Sequence, residues 1–329
     1  MSGIFELPTL ALVGGVLLLL GAATVIVQTL RNRADSGLST AILETFRLRV
    51  QAWWVLCTLM AAAFLIHQIA SAVLFGLIAF WALREFITLT PTRPGDHRVL
   101  FWVFFVITPL QFCLVAMHNY PFYSVVIPVY AFLFIPARVA LEGDCKRFLE
   151  RTAKIQAGLL ICVYCLSYAP ALLTLNLNLP NEESDAGANA RLLFFFVLIA
   201  QLSDALQYAW SQIPSKHVIV PAINPVKTWE GLLGGTASVT LIGAVLWWAT
   251  PFPVWMAAAM SLVISVLGFA GGLTMSAIKR DRGVKDYGTL VEGHGGVLDR
   301  IDSICFAAPV FFHFLLYWLT LHKVPQPWE

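Results

Sequence analysis

The chain alternates long apolar blocks with short polar segments. Each block is close to the roughly 20 residues that a helix needs to cross a hydrocarbon core about 30 Å thick, at about 1.5 Å per residue. Such blocks cover residues 7–29, 51–66, 69–89, 99–117, 121–137, 155–175, 191–210, 232–250, 254–274 and 303–321. The pattern predicts an all-α polytopic membrane protein with ten transmembrane helices. Nine is the alternative, because residues 50–89 form one apolar run broken near its middle by His67-Gln68. Ten spans leave only tails and short loops, so no soluble domain fits and 1–329 reads as one membrane domain. Within it, 1–175 supplies lipid-facing helices, and 191–321 supplies the helices and loops that carry chemistry.

Composition agrees with this reading. Hydrophobic residues make up 59% of the chain and charged residues 12%, about half the charged share of an ordinary soluble domain. The net charge of +2 says little, but its distribution says more. Alternating the loops across the membrane puts 19 of the 21 Lys and Arg on one side, with only Arg191 and Lys323 on the other. By the positive-inside rule that side is cytoplasmic, which predicts both termini outside and a multi-pass protein of the cell (inner) membrane. The N-terminal apolar run lacks a basic leader and is followed by Arg31 and Arg33, so it reads as a first span rather than a signal peptide. Cys162 and Cys165 have redox-motif spacing but lie in an apolar helix, where packing is the better account. No repeat is visible between the two halves, as an inverted-repeat transporter would show.

Candidate chemistry lies where polar residues occupy positions that lipid penalises. Asp204 sits inside the seventh span, six residues from its end, and a carboxylate there marks a site by default. The loop ending Asn224-Pro225-Val226-Lys227-Thr228-Trp229-Glu230-Gly231 contains a turn, and Lys227 with Thr228 is placed to hold a phosphate before the next helix. The segment from Ser276 to Asp302 packs five basic and five acidic residues with His294 and a run of glycines into one connection. Gly293, Gly295 and Gly296 allow close backbone approach to a ligand just before a helix N-terminus. Asp299 and Asp302, three apart, share a helix face suited to hard cations. Lys279, Arg280, Lys285 and Arg300 supply positive charge for phosphates. No P-loop or Rossmann glycine pattern is present. The residues alone therefore suggest a metal-dependent membrane enzyme that brings a polyphosphate to a lipid.

The order and spacing of Ser276, Ile278, Lys279, Arg280, Lys285, Asp286, Gly288, His294, Gly295, Gly296, Asp299, Arg300, Ile301 and Asp302 resemble the signature of the phosphatidate cytidylyltransferase (CDP-diacylglycerol synthase) family. Asp204 followed by Tyr208 is similar to that family's D-x-x-x-Y helix. Pro225, Lys227, Thr228, Trp229, Glu230 and Gly231 resemble its P-x-K-T-W-x-G motif. The likeness covers residues 195–305; upstream it is limited to hydropathy and the Arg84-Glu85-Phe86 ending of the third span. Val291-Glu292, Asn224 and Ser211 depart from the usual residues, which leaves room for a paralogue acting on another lipid acceptor.

The resemblance implies transfer of CMP from CTP to phosphatidate at the cytoplasmic membrane face, with CDP-diacylglycerol and pyrophosphate as products. It implies Mg²⁺, with room for a second cation, held by Asp299, Asp302, Asp286 and Asp204. It further implies phosphate contacts from Lys227, Lys279, Arg280, Lys285 and Arg300, and a loop shaped by His294, Gly295 and Gly296. A homodimer is a further implication, and nucleic acid is not an expected partner. From a different class, an ion-coupled lipid transporter would also place Asp204 and basic loops near the membrane, but it predicts no pyrophosphate release.

Overall fold

A computed structural model describes residues 68–89, 92–178, 187–213, 217–288 and 295–328, with scattered positions between 14 and 54. Of the predicted span 7–29 only scattered positions, all helical, are described, and of 51–66 only Trp54, while His294, Val291 and Glu292 lie outside the described residues.

Eight of the ten predicted blocks are observed as helices. They are α1 (Gln68–Leu89), α2 (Pro94–Ala116), α3 (Tyr120–Ala140), α4 (Phe148–Thr174), α5 (Ala188–Trp210), α6 (Trp229–Val245), α7 (Val254–Asp281) and α8 (Leu298–Leu321). All but α6, at 17 residues, are long and apolar enough to cross a membrane by themselves. The protein is an all-α polytopic membrane protein, and the described residues contain no strand beyond a single bridge between Val218 and Thr228.

Three helices change their winding partway along. A wide π turn covers Val103–Ile107 in α2, Val126–Ala131 in α3 and Leu160–Cys165 in α4. In α2 the cause is local, because Pro109 has no N–H to donate one turn back. The Thr108 hydroxyl donates to the Val103 carbonyl at 2.8 Å, which the Thr108 N–H also reaches across the wide turn. Cys162 is buried within the α4 turn, Cys165 is partly so, and both are unpaired, consistent with a packing role.

The helices overrun the predicted blocks at one end of the bundle. The fourth helix starts at Phe148 rather than 155, α7 continues to Asp281 rather than 274, and α8 begins at Leu298 rather than 303. Hydropathy marks only the lipid-facing part of a helix, whereas these extra turns are polar and pair with one another. Arg151 Nε donates to Asp96 Oδ1 at 2.9 Å and its Nη1 to the Asp144 carbonyl at 3.0 Å, while Arg93 pairs with Asp144 at 2.9 Å. Arg93, foremost, holds the Asp144 carboxyl below its ordinary range. Arg282, just after α7, lies 4.0 Å from Glu150 on α4. These contacts gather the α2 start, the α3–α4 turn and the α7 end at one basic end, matching the sequence-derived grouping of these loops. At the opposite end, Gln326 Oε1 accepts from Asn176 N at 3.1 Å and Trp328 stacks on Tyr120 with ring centres 4.9 Å apart.

Candidate active site

Lys227 is aimed inward by the turn that precedes α6. Ile219 N donates to the Lys227 carbonyl at 3.0 Å and Trp229 N to the His217 carbonyl at 3.0 Å, closing a short antiparallel pair. Thr228, in extended conformation, then caps the helix: its Oγ1 accepts from Gly231 N at 3.0 Å. The cap uses a lone pair of the Thr228 hydroxyl, which remains a donor, and Thr228 also lines the cavity described below. Its hydroxyl oxygen serves the helix and its side chain is buried. Thr228→Val keeps the shape and removes the cap, so the thermal midpoint in detergent is expected to fall by the equivalent of about 1 kcal/mol, with Thr228→Ser close to wild type.

Glycines on two helices bring the remaining groups together. A Cβ at Gly231 would stand 2.7 Å from the Gln207 carbonyl, and one at Gly235 2.7 Å from Gln207 Cα, so α5 and α6 cross backbone to backbone. A Cβ at Gly271 would meet the Asp302 carbonyl at 2.8 Å, bringing α7 and α8 equally close. Small residues at such crossings are what helices in lipid use to approach one another. At Gly272 the missing side chain leaves a gap bordered by Lys227 Nζ at 3.5 Å and Asp302 Oδ2 at 3.6 Å.

Around that gap, Lys227 Nζ lies 3.9 Å from Asp204 Oδ1, 3.4 Å from Gln207 Oε1 and 4.9 Å from the centre of the Phe269 ring. Asp302 Oδ1 accepts from Ser303 N at 2.8 Å, and its Oδ2 has no hydrogen-bond partner among the described residues. Asp204, six residues before the end of α5, lies about 9 Å from that end by the helical rise.

Asp299 has different work. Its Oδ1 accepts from Lys279 Nζ at 2.7 Å, and its Oδ2 accepts from Tyr287 N and Gly296 N, both at 2.9 Å. It thereby folds the α7–α8 connection onto the start of α8. Any cation contact of Asp299 uses the lone pairs that these three bonds leave over. Lys279 is correspondingly committed to Asp299 and lies over the Tyr287 ring at 5.5 Å. Burial pushes the Tyr287 phenol above its ordinary range, and its hydroxyl donates to the Met275 carbonyl at 3.0 Å. Gly295 has φ +81°, a conformation that requires glycine here, and a Cβ on it would press on Asp299 Oδ2 at 2.7 Å.

One organising residue escapes a reading based on polar clusters. Glu85, near the end of α1, is buried and accepts from Val297 N at 3.0 Å and Leu298 N at 2.9 Å. It caps α8 from 212 residues away in sequence. Gly288 and Gly296 make room for it: a Cβ at Gly288 would meet Glu85 Oε1 at 2.9 Å, and one at Gly296 would collide with the carboxylate outright. The only sequence signal was the Arg84-Glu85-Phe86 ending of the span.

These elements enclose a cavity of about 580 Å³ at the basic end, lined by Asp204, Lys227, Lys279, Arg280, Lys285, Asp286, Asp299, Arg300 and Asp302. Nine of the twelve expected site residues thus share one cavity. Gly295 and Gly296 do not line it but pack against the Asp299 and Glu85 carboxylates, and His294 lies outside the described residues. Lys285 and Asp286 are exposed at the cavity, while Arg280 donates to the Ile223 carbonyl at 3.2 Å. No three His, Cys, Asp or Glu side chains among the described residues converge as a ready metal cage. That still fits Mg²⁺, which takes one or two carboxylates and completes its shell with water and substrate phosphates. Asp302, with an unpartnered oxygen facing the Gly272 gap, and Asp204 beside it are the residues that would hold such an ion.

A helical membrane protein with carboxylates and lysines around one such cavity has the make-up of a lipid-linked phosphotransfer enzyme, and sequence comparison narrows the class. The cytidylyltransferase family profile matches residues 47–318, and the chain belongs to that family, so nucleotidyl transfer is its class of activity. Over 274 residues the chain is 36% identical to the uncharacterized protein YnbB of Escherichia coli K12, covering 82% of this chain and 87% of that one. It is 34% identical over 120 residues to a phosphatidate cytidylyltransferase of Staphylococcus haemolyticus, covering 36% of this chain and 46% of the relative. It is 43% identical over 101 residues to one of Synechocystis, covering 30% and 34%. The chain therefore aligns with less than half the length of these two phosphatidate cytidylyltransferases.

Proposed function

We propose that the protein transfers CMP from CTP to phosphatidate at the cytoplasmic face of the cell (inner) membrane, forming CDP-diacylglycerol and pyrophosphate. The observation that carries this reading is the single cavity at the basic end, where Lys227, Asp204 and Asp302 face one another beside Lys285, Arg280 and Arg300. In the reaction, a phosphate oxygen of phosphatidate attacks the α-phosphorus of CTP, the bond from that phosphorus to the bridging oxygen breaks, and pyrophosphate departs. The attacking phosphate is already anionic near neutral pH, so no dedicated base is required. The barrier lies in bringing two anions together in line, which positioning and charge neutralisation lower. Lys227, Lys285 and Arg280 draw the phosphates in, and Arg300 adds charge at the start of α8. Asp302, Asp204 and Asp286 would hold Mg²⁺, which supplies neutralisation of the triphosphate and of the leaving pyrophosphate. The acyl chains remain among the apolar helices while the head group reaches the cavity at membrane-surface depth.

Purified protein incubated with CTP, phosphatidate and Mg²⁺ is expected to release pyrophosphate and yield a CDP-lipid by mass spectrometry. Pyrophosphate release only with a different lipid would move the protein to another acceptor, and a phosphorylated lipid without CMP would make it a lipid kinase. Lys227→Ala is expected to raise the apparent KM for CTP or phosphatidate on the order of 10- to 100-fold, the worth of one charged hydrogen bond. Unchanged kinetics would leave Lys227 as ordinary cytoplasmic-side charge.

A further inference from the structure

Gln207 lies on α5 one turn after Asp204, and only 3% of its surface is exposed. A primary amide buried between three helices must place two donor hydrogens and one acceptor oxygen. Its Nε2 donates to Ser203 Oγ at 2.9 Å and approaches Ser265 Oγ at 3.3 Å. Those serines belong to α5 and α7 and bond each other at 2.6 Å, and Thr236 on α6 joins Ser265 at 2.9 Å. Hydroxyls can donate or accept, so the Ser265 carbonyl, 3.4 Å from Nε2, together with the Lys227 ammonium on the other side fixes which way the amide points. Turned over, it would face its NH2 toward the Lys227 ammonium and leave two donors opposed.

With the donors committed to the serines, Oε1 is left facing Lys227 Nζ at 3.4 Å, inside the cavity. Space for this arrangement comes from α6, where a Cβ at Gly235 would strike Gln207 Cγ at 2.6 Å. Asp204 and Gln207 thus flank the ammonium from one helix face, with Phe269 beneath it. Asp204 is set 3.9 Å away and partly exposed, so it is available to a cation, whereas Gln207 is buried and held on three sides. We infer that Gln207 is a positioning residue that fixes the Lys227 ammonium against the substrate phosphates, anchored by the Ser203–Ser265–Thr236 hydroxyl cluster. The inference rests on the phosphate-binding role given above to Lys227.

Gln207→Met keeps the volume and removes the acceptor. It is expected to raise the apparent KM of the substrate affected by Lys227→Ala about tenfold, with kcat within about twofold of wild type. In the Lys227→Ala background, Gln207→Met is expected to add nothing further, because the group it positions is gone. Additive losses in the double variant would overturn the inference and make Gln207 a packing residue. A readout independent of turnover is acylation of Lys227 by an amine-reactive ester, followed by peptide mass spectrometry in detergent. Labelling is expected to be several-fold faster in Gln207→Met, and to return toward wild type in Gln207→Glu, which restores an acceptor. Equal labelling in wild type and Gln207→Met would overturn the inference. If the wild-type protein releases no pyrophosphate from CTP and phosphatidate, the substrate reading falls, while the labelling comparison still decides whether Gln207 holds Lys227.

Discussion

Asp302→Asn is expected to lower kcat/KM for CTP by about 10²- to 10³-fold while the protein stays folded, as befits loss of one charge aimed at a phosphoryl centre. The two effects separate for a physical reason. Asn fills the same volume against the Gly272 gap and can still accept from Ser303 N, so packing between α7 and α8 survives. What vanishes is a negative charge with one oxygen unpartnered among the described residues. Because a partly buried carboxylate is expensive to desolvate, its neutral isostere is expected to leave the thermal midpoint unchanged or raised. Turnover within tenfold of wild type across a full Mg²⁺ titration would remove Asp302 from the metal-binding role.

For Glu85→Ala the expectation is the reverse, a loss of stability first and of turnover as its consequence. The substitution strands the Val297 and Leu298 amides at the start of α8, where Leu298 is fully buried and water cannot replace the carboxylate. Hydrogen bonds to a charged group are each worth about 1.5–3 kcal/mol, and a carboxylate at a helix N-terminus adds a favourable dipole contact, so the total is about 3 kcal/mol or more. The measurement is thermal unfolding in detergent. Glu85→Gln, with one acceptor and a misplaced donor, is expected to fall between the two. An unchanged midpoint for Glu85→Ala would mean that α8 is held in place by its glycine-mediated packing on α7 alone. Turnover should fall with stability because Asp299 and Asp302 ride on the first two turns of the same helix.

How much of this was legible can be followed residue by residue. Asp204, Lys227 and Asp302 stood out in sequence because charge inside or beside an apolar span is rare, and each indeed lines the cavity. Gln207 was overlooked although it gave a readable signal, an amide three residues beyond Asp204 on a largely apolar helix. For Thr228 the sequence left two roles, since a threonine before a helix fits both a phosphate contact and an N-cap, and the 3.0 Å bond from Gly231 N establishes the N-cap. Asp299 and Asp302 were rightly placed on one helix, but spacing could not reveal that Asp299 binds its own chain through Lys279, Tyr287 and Gly296.

The sequence by itself determined that the protein is helical and membrane-embedded, where the apolar parts of the described helices run, and which loops share an end. Each of these follows from local rules, since lipid requires every backbone group to be satisfied within its own helix and penalises charge one residue at a time. Only the tertiary structure decided which charged groups face the cavity and which brace the fold. Those decisions depend on contacts between residues as distant as Glu85 and Leu298. They also depend on crossings at Gly231, Gly235 and Gly271, where the absence of a side chain lets helices close to within contact distance, and on the gap left at Gly272.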